Sequence, residues 1–167
     1  VQGSWRARLP DHLGSYAMEL TRARAAHLLA DAARLAGLSA ACALAEAALP
    51  EREAHGAAYD GFLVLLEALE SSDHWAEVYV SWELGLLREL GFGLDLTACA
   101  QTGETEGLAW VSPRTGRAVT AVAGEPFRQR LLALPGFLAG RTDAATGRQD
   151  LADGLALTGF FVERHVL

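Results

Sequence analysis

The stretch from Trp75 to Leu90 (WAEVYVSWELGLLREL) constrains the fold more than any other part of this chain. At 3.6 residues per turn, Trp75, Tyr79, Trp82, Leu86 and Leu90 stack on one face, and Val80, Leu84 and Leu87 cover much of the remainder. Glu77, Ser81 and Arg88 leave only a narrow polar strip. A helix that is apolar nearly all round must be surrounded by other elements, so the pattern predicts the central helix of a mainly α domain. Glu83 projects beside the main apolar face, where a carboxyl needs a hydrogen-bonding partner or a raised pKa. It reads as a buried anchor more than as a catalytic carboxylate, because no second carboxylate or histidine stands at a matched spacing.

The flanking segments supply elements to surround that helix. Ser4 to Leu9 alternates apolar and polar residues, Asp11 to Ser15 is turn-rich, and Tyr16 to Leu20 alternates again, which predicts a β-hairpin belonging to a larger sheet. Ala25 to Leu35 has helical periodicity, with Gly37 expected to break it and Ser39 to cap a second helix running to about Leu49. Pro50 to Glu53 is a connection. Gly56 to Glu70 predicts a third helix with Tyr59, Phe62, Leu63, Leu66 and Leu69 on its buried face, followed by the cap cluster Ser71, Ser72 and Asp73. Gly91 and Gly93 end the fourth helix. Beyond a loop at Cys99 to Gly107, the segments Leu108–Val111 and Arg117–Val122 flank Pro113–Gly116 as a short hairpin. Pro126 to Leu132 predicts a short helix, Leu134 to Gly136 and Gly140 to Gln149 are loops, the latter with a mobile composition, and Leu151 to Leu167 is a final amphipathic helix.

With 167 residues, about half of them apolar, the chain is long enough for one domain with a real core. It opens on Val1 within an alternating pattern, which suggests the greater part of a longer protein. Every basic residue is Arg, and Lys, Ile and Asn are absent, as in a GC-rich bacterial gene; an Arg is therefore weaker evidence of phosphate recognition here than usual. The formal net charge of -7 argues against a domain that coats itself in nucleic acid by bulk electrostatics, although it leaves room for a local basic patch. Cys42 and Cys99 lie far apart and form no CxxC, which points away from a secreted disulfide scaffold and toward the cytoplasm.

Catalytic signatures are missing. The sequence has no HExxH, GxSxG, phosphate-binding GxxxxGK[ST] or strand-following GxGxxG, and Gly91-Phe92-Gly93 reads as helix termination. His12, His27, His55, His74 and His165 have no ligand spacing, so no metal, cofactor or enzymatic activity is expected. The aromatics Trp75, Tyr79 and Trp82 suit a base-stacking platform in principle, but at this spacing on a central helix they read as core.

Val80-Ser81-Trp82-Glu83-Leu84-Gly85-Leu86-Leu87-Arg88-Glu89-Leu90-Gly91-Phe92-Gly93-Leu94-Asp95-Leu96 resembles the signature of the RecO family, an aromatic-Glu-Leu helix ending in a Leu-Gly-aromatic turn. Cys99-Ala100-Gln101-Thr102-Gly103 follows where that family has Cys-x-x-Cys-Gly, and Trp110-Val111-Ser112-Pro113-Arg114-Thr115-Gly116-Arg117-Ala118-Val119, Leu134-Pro135-Gly136-Phe137-Leu138 and Leu157-Thr158-Gly159-Phe160-Phe161 are similar to later family segments in the same order. The resemblance implies that residues 1–21 are the last strands of an oligonucleotide-binding (OB-fold) barrel and residues 22–167 the family's helical domain, with a small hairpin in place of a degenerate zinc finger. Thr102 stands where the second finger cysteine would be.

What the family does sets the functional expectation. The resemblance implies a recombination mediator of the RecF pathway in DNA repair, which binds and anneals DNA, works with RecR and with the tail of single-stranded-DNA-binding protein, helps to load RecA, and acts in the cytoplasm at the nucleoid. The other expectation is a helical protein-interaction module with no direct DNA role, which the acidic charge favours. Arg6, Arg8, Arg22 and Arg24 are the candidate DNA contacts. The acidic tail peptide, with its apolar end and free carboxylate, calls for an apolar pocket rimmed by Arg. Ser81 stands where many relatives carry a basic group, so Arg88, two turns on, is the substitute cation, with Leu84 and Leu87 flanking it.

Overall fold

The computed structural model describes residues 1–9, 12–141 and 145–167. An antiparallel hairpin of β1 (Gln2–Arg6) and β2 (Ser15–Glu19) comes first, with Trp5 opposite Tyr16 and their rings 4.9 Å apart. Every strand residue of this hairpin is exposed. The expected turn is described only from His12 onward, since Pro10 and Asp11 lie outside the described residues. The chain then forms α1 (Arg24–Leu28), α2 (Ala32–Ala48), α3 (Gly56–Ser71) and α4 (Trp75–Glu89). A second sheet follows, from β3 (Leu108–Val111) and β4 (Ala118–Thr120), with α5 (Ala121–Gly124), a 3-10 turn over Glu125–Arg130, and β5 (Leu132–Ala133). Its strand order is β4-β3-β5, antiparallel throughout. The last element is α6 (Arg148–His165). The protein is thus mainly α with two small antiparallel sheets, as the sequence predicts.

α4 is central. It packs against α2, α3 and α6, and Val80, Leu86 and Leu87 on it are buried together with Leu65 and Leu69 of α3 and Leu157 of α6. Full burial of each such side chain stabilises by roughly 1.5–3 kcal/mol. α6 crosses α4 closely at Gly154, where a Cβ would lie 3.2 Å from Val80 Cγ1 and 3.0 Å from Phe137 Cζ. α4 ends as its sequence predicts. Gly91 takes φ +86, its N–H donates to Arg88 O, and the N–H of Phe92 donates to Leu87 O at 2.8 Å, the paired bonds of a Schellman cap.

Several boundaries differ from expectation, each for a local reason. The first helix breaks at Asp31, not Gly37. Asp31 is extended and its carboxylate accepts from the N–H groups of Ala33 and Arg34 at 3.0 and 3.1 Å, an N-cap that starts α2 well before Ser39. Gly37 lies inside α2, where a Cβ would meet the Trp75 ring at 2.8 Å, so the glycine allows a close helix crossing. Ser39 caps nothing; its hydroxyl donates back to Leu35 O. α3 buries Ala58, Leu65, Ala68 and Leu69, whereas Tyr59 is 63% and Val64 60% exposed, so the predicted face is rotated. The strand expected at Arg117–Val122 stops at Thr120, whose hydroxyl caps α5 through Ala123 N–H. The helix expected at Pro126–Leu132 is a 3-10 turn that runs into a third strand. α6 begins at Arg148, within the expected 140–149 loop, of which residues 142–144 lie outside the described residues.

Candidate functional site

Three surfaces hold the residues singled out by sequence. The first surrounds α4. Tyr79 and Trp82 are buried, and their rings pack 5.9 Å apart, so they belong to the core and are not a stacking platform. Glu83 is buried beside them, and Thr158 Oγ1 of α6 lies 2.5 Å from its Oε2. Burial pushes the Glu83 carboxyl up, while the hydrogen bonds from Thr158 and Tyr79 pull it partly back. Burial, with Glu83 nearby, also raises the Tyr79 hydroxyl. Glu83 therefore ties α4 to α6.

The polar strip of α4 borders a groove of about 340 Å³ between α3 and α4. Its walls are Ala57, Gly61 and Val64 on one side and Ser81, Gly85 and Arg88 on the other. Small residues facing each other keep the groove open at the surface. Arg88 lines it as well, with Glu89 beside it. The expected companions of Arg88 lie elsewhere: Leu87 is fully buried in the core, and Leu84 packs against that core without lining the groove. By helical spacing both lie on the side of Arg88 turned away from Ser81 and Gly85, and only packing decides which of the two sides meets α3. Ala57, Gly61 and Val64 fall outside the face of α3 expected from its sequence; their i, i+4, i+7 spacing, two small residues and a valine on one face, was the available signal. Trp82 separates this groove from a second cavity of about 340 Å³, bounded by Leu49, His55, Tyr59 and Phe62. Its buried indole N–H has no acceptor among the described residues.

The second surface carries the four candidate DNA arginines, which the fold does not treat alike. Arg6 ends β1 and Arg8 lies in a bend beyond the strand, not on a strand face as expected; both are exposed. Arg22 and Arg24 converge on Glu70 of α3, whose Oε2 accepts from Arg22 Nη2 and, at 3.2 Å, from Arg24 Nη1. The Glu70 carboxylate is only 7% exposed, so the two guanidiniums compensate a covered charge at the end of the third helix. Sequence reasoning missed Glu70 because it stands forty-six residues or more from its partners.

The third surface surrounds Cys99. Its sulfur is buried, accepts from Thr120 N–H at 3.4 Å and lies 3.8 Å from Thr120 Oγ1. Burial acts to raise the thiol, but hydrogen bonds from Thr102, and from the backbone of Thr120, Gln101 and Thr102, outweigh it and lower the pKa to about 6. Zinc does not fit here. Thr102 offers no thiolate, and among the described residues no group of three or more His, Cys, Asp or Glu side chains is placed to hold a metal. Also among the described residues, no helix is long and apolar enough to cross a membrane.

Comparison with known proteins agrees with this architecture. Residues 29–167 match the family described as Recombination protein O C terminal. The chain is 58% identical over 168 residues to the DNA repair protein RecO of Rhodospirillum centenum, covering 99% of this chain and 66% of that protein. It is 52% identical over 172 residues to the DNA repair protein RecO of Rhodospirillum rubrum, covering 100% of this chain and 68% of that one. The DNA repair protein RecO of Jannaschia sp. is 48% identical, with 99% and 66% covered. The chain thus spans about two thirds of the length of these curated relatives. No solved structure matches it.

Proposed function

The chain belongs to the RecO family, and from that premise we propose that it serves DNA repair as a recombination mediator: an adaptor that brings DNA and protein partners together and not a catalyst. The observation that carries this reading is the match, at about half identity or better over nearly the whole of this chain, to about two thirds of the length of proteins named for DNA repair. Residues 1–21 are the closing strands of an OB-fold barrel in this reading, and residues 22–167 the helical domain. The uniform exposure of β1 and β2 supports the division, since two strands with no buried face call for a larger sheet.

The partners are DNA, RecR and the tail of single-stranded-DNA-binding protein, with loading of RecA as the outcome, in the cytoplasm at the nucleoid. The α3–α4 groove is the tail site. It has apolar walls, an arginine at its edge and, at Trp82, a buried N–H without an acceptor; an apolar side chain with a carboxylate matches those features. DNA contact falls to Arg6 and Arg8, with Arg22 and Arg24 held back by Glu70. Two measurements test the reading. The chain should promote annealing of complementary strands coated with single-stranded-DNA-binding protein, and deletion of that protein's tail should abolish the effect. Annealing that is indifferent to the tail removes the adaptor role.

A second reading is favoured by the net charge of -7 and by the Glu70 pairing. In it the chain is a protein-interaction module that binds the tail and does not touch DNA. Tail binding without any DNA binding distinguishes it.

A further inference from the structure

The small sheet carries a basic groove that runs against the charge of the whole chain. A cavity of about 560 Å³ lies between the β3–β4 turn, the Cys99 loop and the 3-10 turn, with Arg114, Arg130, Phe127, Ser112, Thr115 and Gln101 among its walls. A second cavity of about 690 Å³ follows the 3-10 turn and shares Phe127 and Arg130 with the first. The two together hold three arginines, Arg114, Arg128 and Arg130, against one carboxylate, Glu125, which lies 3.9 Å from Arg128. Among the described residues, Arg114 and Arg130 have no carboxylate partner.

The groove is built on firm backbone. The β3–β4 turn is closed by Ser112 N–H to Arg117 O at 3.0 Å and Gly116 N–H to Ser112 O at 2.9 Å, with Gly116 at φ +67. Arg164 of α6 donates to Pro113 O at 2.9 Å and pins the turn to the last helix. On the other side, Gly124 leaves room for the Trp110 ring, which a Cβ would meet at 2.4 Å, and this contact sets where the 3-10 turn begins. Phe127, half exposed, stands where the two cavities meet.

We propose that this groove binds single-stranded DNA, with Arg114 and Arg130 on successive phosphates and the Phe127 ring stacked on a base. The inference rests on the reading that the chain binds DNA, and it assigns a contact separate from Arg6 and Arg8. A ring sharing one cavity with two guanidiniums that have no carboxylate partner among the described residues, with hydroxyl and amide groups along the wall, matches both things a single strand presents: a charged backbone and a flat π-face. An acidic peptide would use the guanidiniums but would leave the aromatic ring without a stacking partner.

The test is anisotropy of a fluorescein-labelled oligo-dT titrated with the 167-residue chain across a salt series. The arms are the parent, Arg114→Ala/Arg130→Ala, Phe127→Ala, and Arg6→Ala/Arg8→Ala for comparison. The expected result is at least a roughly tenfold loss for the double groove variant, with a salt slope flatter by about 0.7 per arginine removed. Phe127→Ala should lose about tenfold with the slope unchanged. Phe127→Trp, in an otherwise intact groove, should show fluorescence quenching on adding oligo-dT beyond that of the parent. If the groove variants bind as the parent does and only Arg6→Ala/Arg8→Ala weakens, the groove proposal is wrong while DNA binding stands. If the parent binds no DNA, both fall. Displacement of oligo-dT by poly-glutamate at equal charge, with no quenching by oligo-dT in the Phe127→Trp variant, would make the groove a peptide site and overturn the proposal.

Discussion

Thr158 Oγ1 lies 2.5 Å from Glu83 Oε2, a contact between residues seventy-five positions apart that joins α6 to the centre of α4. Thr158 also reaches Gly154 O, at 3.1 Å. When Glu83 is ionised, the hydroxyl donates to the carboxylate. When Glu83 is protonated, its own O–H donates to Thr158, which is then free to donate to Gly154. Burial favours the protonated acid, and the hydrogen bonds that Thr158 and Tyr79 give the carboxylate offset this only in part.

Removing the anchor should destabilise the domain. Glu83→Ala is expected to cost on the order of 1–3 kcal/mol, by taking the acceptor from the Tyr79 hydroxyl and opening a void. Thermal unfolding measures it, and an unchanged midpoint would show that Glu83 is not an anchor.

The raised Glu83 pKa also has a sign. The folded state holds its proton to higher pH than the unfolded chain, so the contribution of Glu83 is fully present below the ordinary carboxylate value and is lost as pH rises through the folded pKa. Glu83→Gln keeps the shape without the titration. Relative to the parent, Gln should be more favourable at neutral pH than in acid, and a parent–variant difference that stays flat from about pH 4 to about pH 8 contradicts this.

Asp31 starts α2, so Asp31→Ala should cost about 1 kcal/mol, and Asp31→Ser should recover most of it. Both follow from denaturant melts. An Ala variant as stable as the parent would mean that the break before α2 is held by packing alone.

Glu70 should oppose DNA binding if Arg22 and Arg24 face the phosphates. Glu70→Gln releases two guanidiniums and is expected to tighten binding to single-stranded DNA several-fold at low salt, with a steeper salt slope. Unchanged affinity assigns Arg22 and Arg24 to structure alone.

Arg88→Ala and Val64→Asp should each weaken a labelled tail peptide by about fivefold or more, whereas Leu84→Ala should not, because Leu84 does not line the groove. Fluorescence titration decides it. Equal affinities for parent and Arg88→Ala would move the carboxylate contact away from this rim.

By itself, the sequence determined the elements that depend on local signals. The all-round apolarity of Trp75–Leu90 required a central helix, Gly91 and Phe92 specified how it ends, and the azimuth of Glu83 required burial, because each follows from spacing within a turn or two. It did not announce Asp31 as the cap or Gly37 as a packing residue, since a glycine reads as a breaker until a Trp75 ring is placed against it. Tertiary structure alone decided which face of α3 is covered, since Ala58 and Leu65, not Tyr59 and Leu63, meet the core. It also decided that Leu87 is lost to the core while Arg88 borders a groove, that Arg22 and Arg24 spend their charge on Glu70, and that Arg114, Phe127 and Arg130 share one groove. These are relations between segments distant in the chain. Local periodicity says that a side chain must find a partner; only packing, which brings the distant segments together, says which one.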